Sequence, residues 1–252
     1  MCTVSWLRQS DGYLLLCNRD ESHARRPALG PRPAVRNGVS LIAPMDGDHG
    51  GSWIGINQFG LTLCLLNRYG YDTVEQNRRF TSRGLLLMDL MDCDRTQRVN
   101  ERVNESDLGV FRPFTMVALT VEEPAMLIEW TGTKCIIQSN AESNMPITSS
   151  SMKELDVIGE RKKQFQKLLS QAGHLDARLL YQFHRSHLPV RGPYSVCMHR
   201  EDAATVSLSA VTVTPELIEF NYSGGSPCLE LPTEGVQLER VSAAVRSARS
   251  KG

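Results

Sequence analysis

The chain opens Met1-Cys2-Thr3-Val4-Ser5-Trp6-Leu7, turns at Ser10-Asp11-Gly12, and returns through Tyr13-Leu14-Leu15-Leu16-Cys17 into Asn18-Arg19-Asp20-Glu21. Both runs are rich in β-branched, aromatic and leucine residues, and a turn triplet separates them. Residues 2–7 and 13–18 therefore predict a β-hairpin. The return run is apolar on both faces, which predicts a central strand. Such a hairpin ties down a chain terminus, whereas termini ordinarily lie loose on the surface. A small residue after Met1 is the usual condition for removal of the initiator methionine. Once it is gone, Cys2 carries a thiol and a free α-amine, a nucleophile and a base on one residue. The central expectation is an amide hydrolase that uses its own N-terminal cysteine.

That chemistry makes demands on the neighbours. A free thiol is only a few per cent thiolate at neutral pH, so it needs a base or a cation. A free α-amine titrates at about 7.7–8.0, and burial or a nearby cation lowers that value. Arg19 ends the return strand, and hairpin geometry brings it back beside residue 2 as that cation. Asp20 is placed to hold the ammonium form or to orient the amine. A tetrahedral intermediate needs donors aimed at its oxygen. Asn67, a backbone N–H near Gly50-Gly51, and a group from the loop 139–151 are the candidates.

Composition sets the outer bounds. The chain has 252 residues, is 41% hydrophobic and 22% charged, and carries no formal net charge. This is an ordinary globular balance, expected as a single domain over 1–252. Nothing in it attracts a phosphate backbone, which excludes nucleic acid as the expected partner. The seven cysteines form no Cys-x-x-Cys and read as reduced thiols in a cytoplasmic protein. No run is long enough for a membrane span, and the N terminus does not read as a signal peptide.

Further along, residues 22–38 hold prolines, glycines and arginines and read as a loop. Arg25, Arg26, Arg32 and Arg36 there could line a mouth, but solvated charge is the favoured reading. Strands are expected near 41–43, 53–57, 61–67, 114–121, 125–130, 194–199, 205–213 and 217–222. Helices are expected at 82–92, 95–104, 154–169 and 178–184. In the third, Leu155, Ile158, Phe165, Leu168 and Leu169 make the apolar face. Strands, then helices, then strands argue for an α+β fold of antiparallel sheets with helices outside. His184 and His187 make a His-x-x-His with His199 beyond. No cysteine or carboxylate stands at ligand spacing, so no metal is expected. Cys17, Cys64, Cys93, Cys135, Cys197 and Cys228 read as core residues.

Four segments in order then carry a resemblance: Met1-Cys2-Thr3, the tetrad Asn18-Arg19-Asp20-Glu21, Gly50-Gly51-Ser52-Trp53-Ile54-Gly55, and Leu65-Leu66-Asn67. Together they resemble the NRDE family, also called transport and Golgi organization 2-like. The resemblance implies the N-terminal-nucleophile fold, a four-layer α-β-β-α sandwich, and kinship with choloylglycine hydrolases and penicillin V acylases. It implies Cys2 as nucleophile, Arg19 and Asp20 beside it, Asn67 as oxyanion donor and Arg161 as the late arginine of such sites. A second asparagine precedes the long helix in those relatives, and Asn140, Asn144 and Ser149-Ser150 compete for its place. Asn18, Gly51, Trp53, Asn144 and Ser149 are the candidate substrate-binding residues, although Trp53 also reads as core. The expected partner is a small-molecule amide or acyl compound, with no cofactor. The alternative is a non-catalytic member that binds or transfers haem or a lipid-like ligand. Cys2 or a histidine would then ligate the iron or be merely structural.

Overall fold

Strand β2 (Gly12–Ser22) is the spine of the first sheet, and nine of its residues are buried. Tyr13, Leu15 and Cys17 face a second sheet, whereas Leu14 and Leu16 face helices. Burial on both faces is why this run shows no polar alternation before Asn18. Strand β1 (Cys2–Gln9) pairs with it antiparallel, from Cys2 opposite Arg19 to Gln9 opposite Gly12. Only glycine fits at that turn, because a Cβ on Gly12 would lie 1.9 Å from the Val213 carbonyl oxygen.

This computed structural model describes residues 2–70, 79–232 and 235–241. The first sheet runs β10–β1–β2–β11–β12–β13, with β10 (Ile147–Thr148), β11 (Ala203–Val213), β12 (Leu217–Ser223) and β13 (Gly235–Glu239). The second takes its strands in chain order: β3 (Leu29–Arg36), β4 (Val39–Met45), β5 (Ile54–Asn57), β6 (Thr62–Asn67), β7 (Phe114–Leu119), β8 (Met126–Trp130) and β9 (Cys135–Gln138). One core lies between the sheets and contains Trp6, Tyr13, Ile54, Val117 and Phe220. Helices α3 (Glu154–Ala172) and α4 (Ala177–His184) cover the first sheet through Phe165, Leu168 and Phe183. Helices α1 (Arg83–Asp89) and α2 (Thr96–Glu105) cover the second through Leu86, Leu87, Val99 and Val103. The layers are thus α-β-β-α, as the resemblance implied. Among the described residues no helix is long and apolar enough to cross a membrane.

Three expectations need correction. The segment 22–38 is not all loop, since β3 occupies Leu29–Arg36. Its prolines are tolerated because β3 is an edge strand. The overlooked signal was Asn37-Gly38, whose φ values of 48° and 77° make the two-residue hairpin turn into β4. Residues 194–199 form no strand beyond a single bridge from His199 to Ala204. Side chains satisfy their backbone instead: Asn18 Nδ2 donates to Val196 O, and Met198 N donates to Thr205 Oγ1. Finally, α3 buries Val157, Arg161, Gln164, Phe165 and Leu168, while Leu155 is 84% exposed. The buried stripe has an arginine in its middle, and a count of apolar positions alone rotates the face away from it.

Asn57 shows how the second sheet is held to its helices. Fully buried, it donates from Nδ2 to the carbonyls of Met91 and Cys93 at 2.8 and 2.6 Å, and its Oδ1 accepts from Phe59 N and Leu61 N. Asn57→Ala should destabilise the fold by about 1–3 kcal/mol for each group left unpaired. The expected reading is a lower urea midpoint with an unchanged slope; an unmoved midpoint would contradict this account of Asn57.

Candidate active site

Cys2 begins β1, and both of its backbone polar atoms are clamped by Ser149, just past the end of the neighbouring strand β10. Its nitrogen donates to Ser149 Oγ at 3.2 Å, and its carbonyl accepts from Ser149 N at 3.0 Å. Cys2 is 4% exposed and, with Arg19 and Asp20, lines a cavity of about 280 Å³. Gly51, Trp53 and Asn67 line the same cavity from the second sheet. The paired glycines have a packing reason. Gly50 has φ at 68°, and a Cβ on Gly51 would lie 2.5 Å from the Gly84 backbone. The wall of the cavity is therefore closed by two backbones in contact at the start of α1.

The thiol is held protonated. Cys2 donates to the Cys17 thiol, and this bond, with burial second, pushes the Cys2 thiol well above its ordinary range. Arg19 was expected to pull it the other way. Its Cα does stand opposite that of Cys2, but its guanidinium is already committed. It donates to Asp46 at 2.6 Å and to Glu21 at 3.1 Å, and it stacks on the Trp53 ring at 4.2 Å. Arg25 joins the same carboxylates, so the cavity mouth is a neutralised network rather than a lone positive charge. Asp46 and Arg25 were not among the expected site residues. The turn-forming run around Asp46-Gly47-Asp48 was the available signal.

On the other face of β2, Asp20 and Arg161 are both fully buried, 3.5 Å apart. Arg161 Nη1 donates to Thr3 Oγ1 and Thr148 Oγ1, each at 2.9 Å, and Asp20 accepts from Thr205 Oγ1 at 2.6 Å. Burial holds the Arg161 guanidinium below its usual range, against the pull of Asp20. Arg161 is thus a buried cation on the helix side of the first sheet, behind Cys2, with Thr148 bridging to the Cys2 carbonyl.

Two expected substrate contacts are elsewhere. Asn18 faces α4, not the cavity: its Nδ2 donates to the His184 and Val196 carbonyls, and its Oδ1 meets His184 Nδ1 at 2.9 Å. Strand alternation explains this, since Cys17 and Arg19 take the cavity face. Asn144 is bonded to Gln138 and lines a second cleft of about 180 Å³, which also reaches Asn67 and Ser149. Asn67 stands between the two spaces and donates to Tyr69 Oη at 3.1 Å. His184, one of the histidines considered for iron, is enclosed by Ser5 and Asn18. Burial drives its pKa down to about 3, which keeps it neutral. The Trp53 indole nitrogen is buried with no hydrogen-bond partner.

This arrangement is that of the N-terminal-nucleophile fold, and the solved structures that resemble it agree. Penicillin V acylase from Agrobacterium tumefaciens superposes with a TM-score of 0.53 at 9% identity, over 88% of this chain and 82% of that one. The Caenorhabditis elegans ortholog of N-acylethanolamine-hydrolyzing acid amidase gives 0.60 at 13%, over 85% and 93%. The conjugated bile acid hydrolase of Clostridium perfringens, as its C2A mutant, gives 0.54 at 11%, over 96% and 97%. The chain belongs to the Transport and Golgi organisation 2 family, whose model matches residues 1–215. No curated protein sequence matches it.

Two outcomes test the electrostatics. Arg161→Met leaves Asp20 buried without its cation and should cost about 3–5 kcal/mol, whereas Arg161→Met with Asp20→Asn should recover part of that loss in thermal unfolding. Cys17→Ala removes the acceptor of the Cys2 thiol. The folded Cys2 pKa should then fall, so iodoacetamide should alkylate Cys2 at lower pH than in the parent; an unmoved pH profile would remove Cys17 from the account.

Proposed function

We propose that this protein is an amide hydrolase or acyltransferase acting on C–N bonds outside peptides, with Cys2 as nucleophile after Met1 is removed. One observation carries the reading. Cys2 is almost fully buried, lines the cavity between the two sheets, and has its nitrogen anchored on Ser149.

In this reading the resting sulfur is a thiol, because Cys17 and burial disfavour the thiolate. The free α-amine of Cys2 takes the thiol proton as sulfur attacks the substrate carbonyl. Arg161, behind Thr148, disfavours a second positive charge on that amine and keeps it available as a base. The carbonyl oxygen becomes an oxyanion, and the Asn67 side-chain amide is the donor proposed for it. The α-ammonium then passes its proton to the leaving nitrogen, the C–N bond breaks, and an amine departs. A thioester remains on Cys2. Water, or a second amine, attacks it while the α-amine again accepts a proton, and the acyl product is released with the thiol restored. No cofactor enters. The Arg19–Trp53 stack and the Gly51 wall shape the acyl pocket.

Intact mass should show loss of Met1. With an activated amide or ester probe, the protein should gain one acyl group, and both Cys2→Ser and Cys2→Ala should abolish that adduct. Retained Met1 would end the proposal, since no amine would adjoin the thiol, and an adduct that survives Cys2→Ala would place the nucleophile elsewhere. Asn67→Ala should lower kcat by about 10²–10³-fold with a smaller effect on KM.

A further inference from the structure

Far from the Cys2 cavity in sequence, four ligand-type side chains converge below the end of α4. His187, Cys197, His199 and Cys228 bring one ligand atom each to within 4.8 Å of one another. His199 Nε2 is the hub: it lies 3.2 Å from His187 Nε2, 3.5 Å from Cys197 Sγ and 3.6 Å from Cys228 Sγ. A tetrahedral zinc ion with Zn–N near 2.0–2.1 Å and Zn–S near 2.3 Å would set its nitrogens about 3.3 Å apart and each nitrogen about 3.6 Å from each sulfur. The spacings around His199 are therefore those that an ion imposes on such ligands.

We propose that His187, Cys197, His199 and Cys228 form a structural tetrahedral site for a thiophilic divalent cation, with Zn²⁺ the ion that the donor set fits best. Two thiolates and two neutral imidazoles neutralise the ion, which suits a half-buried place, and the two thiol protons leave to solvent on binding. All four positions are filled by protein, so the site is closed and leaves no place for a metal-bound water. The proposed site departs from the sequence-based expectation of no metal. Ligand-spaced cysteines do exist, one beside His199 and one on a distant turn, while His184 of the His-x-x-His takes no part. An open cleft lined by His187, Cys228, Tyr181 and Arg185 gives the ion a path in. Arg191 Nη2 meets His199 Nδ1 at 3.3 Å. With Nε2 on the metal, Nδ1 carries the proton, so Arg191 swings away on binding.

The site has structural leverage. It joins the end of α4 to the segment 192–199 and to the turn that holds Cys228. Ser226 Oγ of that turn donates to Thr205 O, and Arg185 Nε donates to Pro227 O. An ion here clips three segments of the chain to one another.

Purified full-length protein, stripped with a chelator under reductant, should bind one equivalent of Zn²⁺ in competition with a chromogenic chelator. The Co²⁺ form should show intense tetrahedral visible bands and a thiolate charge-transfer band. Zn²⁺ should raise Tm and chelator should lower it. Cys228→Ser and His187→Ala, at half-buried positions, should keep the parent's far-UV circular dichroism and lose the charge-transfer intensity and the Zn²⁺-dependent Tm shift. Octahedral Co²⁺ spectra, equal Zn²⁺ binding by parent and Cys228→Ser, or a Cys197–Cys228 disulfide in place of metal would overturn the proposal. Acyl-adduct formation at Cys2 reads the other site separately, so either proposal can fail alone.

Discussion

The buried pair of Asp20 and Arg161 is the constraint on which the first sheet depends. Removing two charges from water costs several kcal/mol per ion, and attraction alone seldom repays it. Here the deficit is met by hydroxyls. Thr205 from β11 donates to the carboxylate on β2, and Thr3 from β1 and Thr148 from β10 accept from the cation on α3. A single cluster thus ties four strands and a helix together, and it does so directly behind the residue that begins β1. β10 is only two residues long. Thr148 has a bond to Arg161, and Ser149 has two to Cys2, so the polar cluster supplies what so short a ladder cannot.

The cluster also decides the electrostatics in front of it. The Cys2 face of the sheet holds Arg19, which is satisfied by Asp46 and Glu21, and a thiol whose proton is retained. The opposite face holds the ion pair at a distance of one strand. In a low-dielectric interior the second charge acts on the first site more strongly than it would through water. An amine at the Cys2 nitrogen would feel a cation that cannot be solvated away, which is a steadier bias than an exposed arginine can provide.

Much of this was readable in advance because the hairpin is local. Turn chemistry at residues 10–12 and two apolar runs set the pairing of Cys2 with Arg19, and strand parity follows from it. The same parity places Asn18 with Asp20 on the helix face, so the tetrad by itself names neighbours in sequence that serve opposite sides of a sheet. What could not be read depends on distant partners. By local pattern alone Arg161 looks like a solvated helix arginine; only the resemblance marked it, and Thr3, Thr148 and Asp20 enclose it in the fold. The segment 194–199 reads as strand because its residues suit one, yet its polar backbone is met by Asn18, Thr205 and Ser195 side chains. No local pattern announces that substitution.

The same segment connects the two chemical sites. Pro193 O accepts from Arg161 Nη2 at 3.5 Å, Val196 O accepts from Asn18 and Thr205, and Cys197 and His199 follow within a few residues. Thr205 lies at the crossing: it donates to Asp20, accepts from Met198, and its carbonyl is held by Ser226 beside Cys228. Besides these side-chain bonds the segment is held by backbone bonds at Cys197 and Met198 and by burial of Val196, and each hydrogen bond contributes only about 0.5–1.5 kcal/mol net. A four-ligand clip on Cys197 and His199 would restrict the segment more than any of them. It would also hold the Val196 and Pro193 carbonyls against Asn18, Thr205 and Arg161. In that arrangement the metal would do no chemistry; it would keep the back of β1 and β2 in the single geometry that a buried ion pair requires.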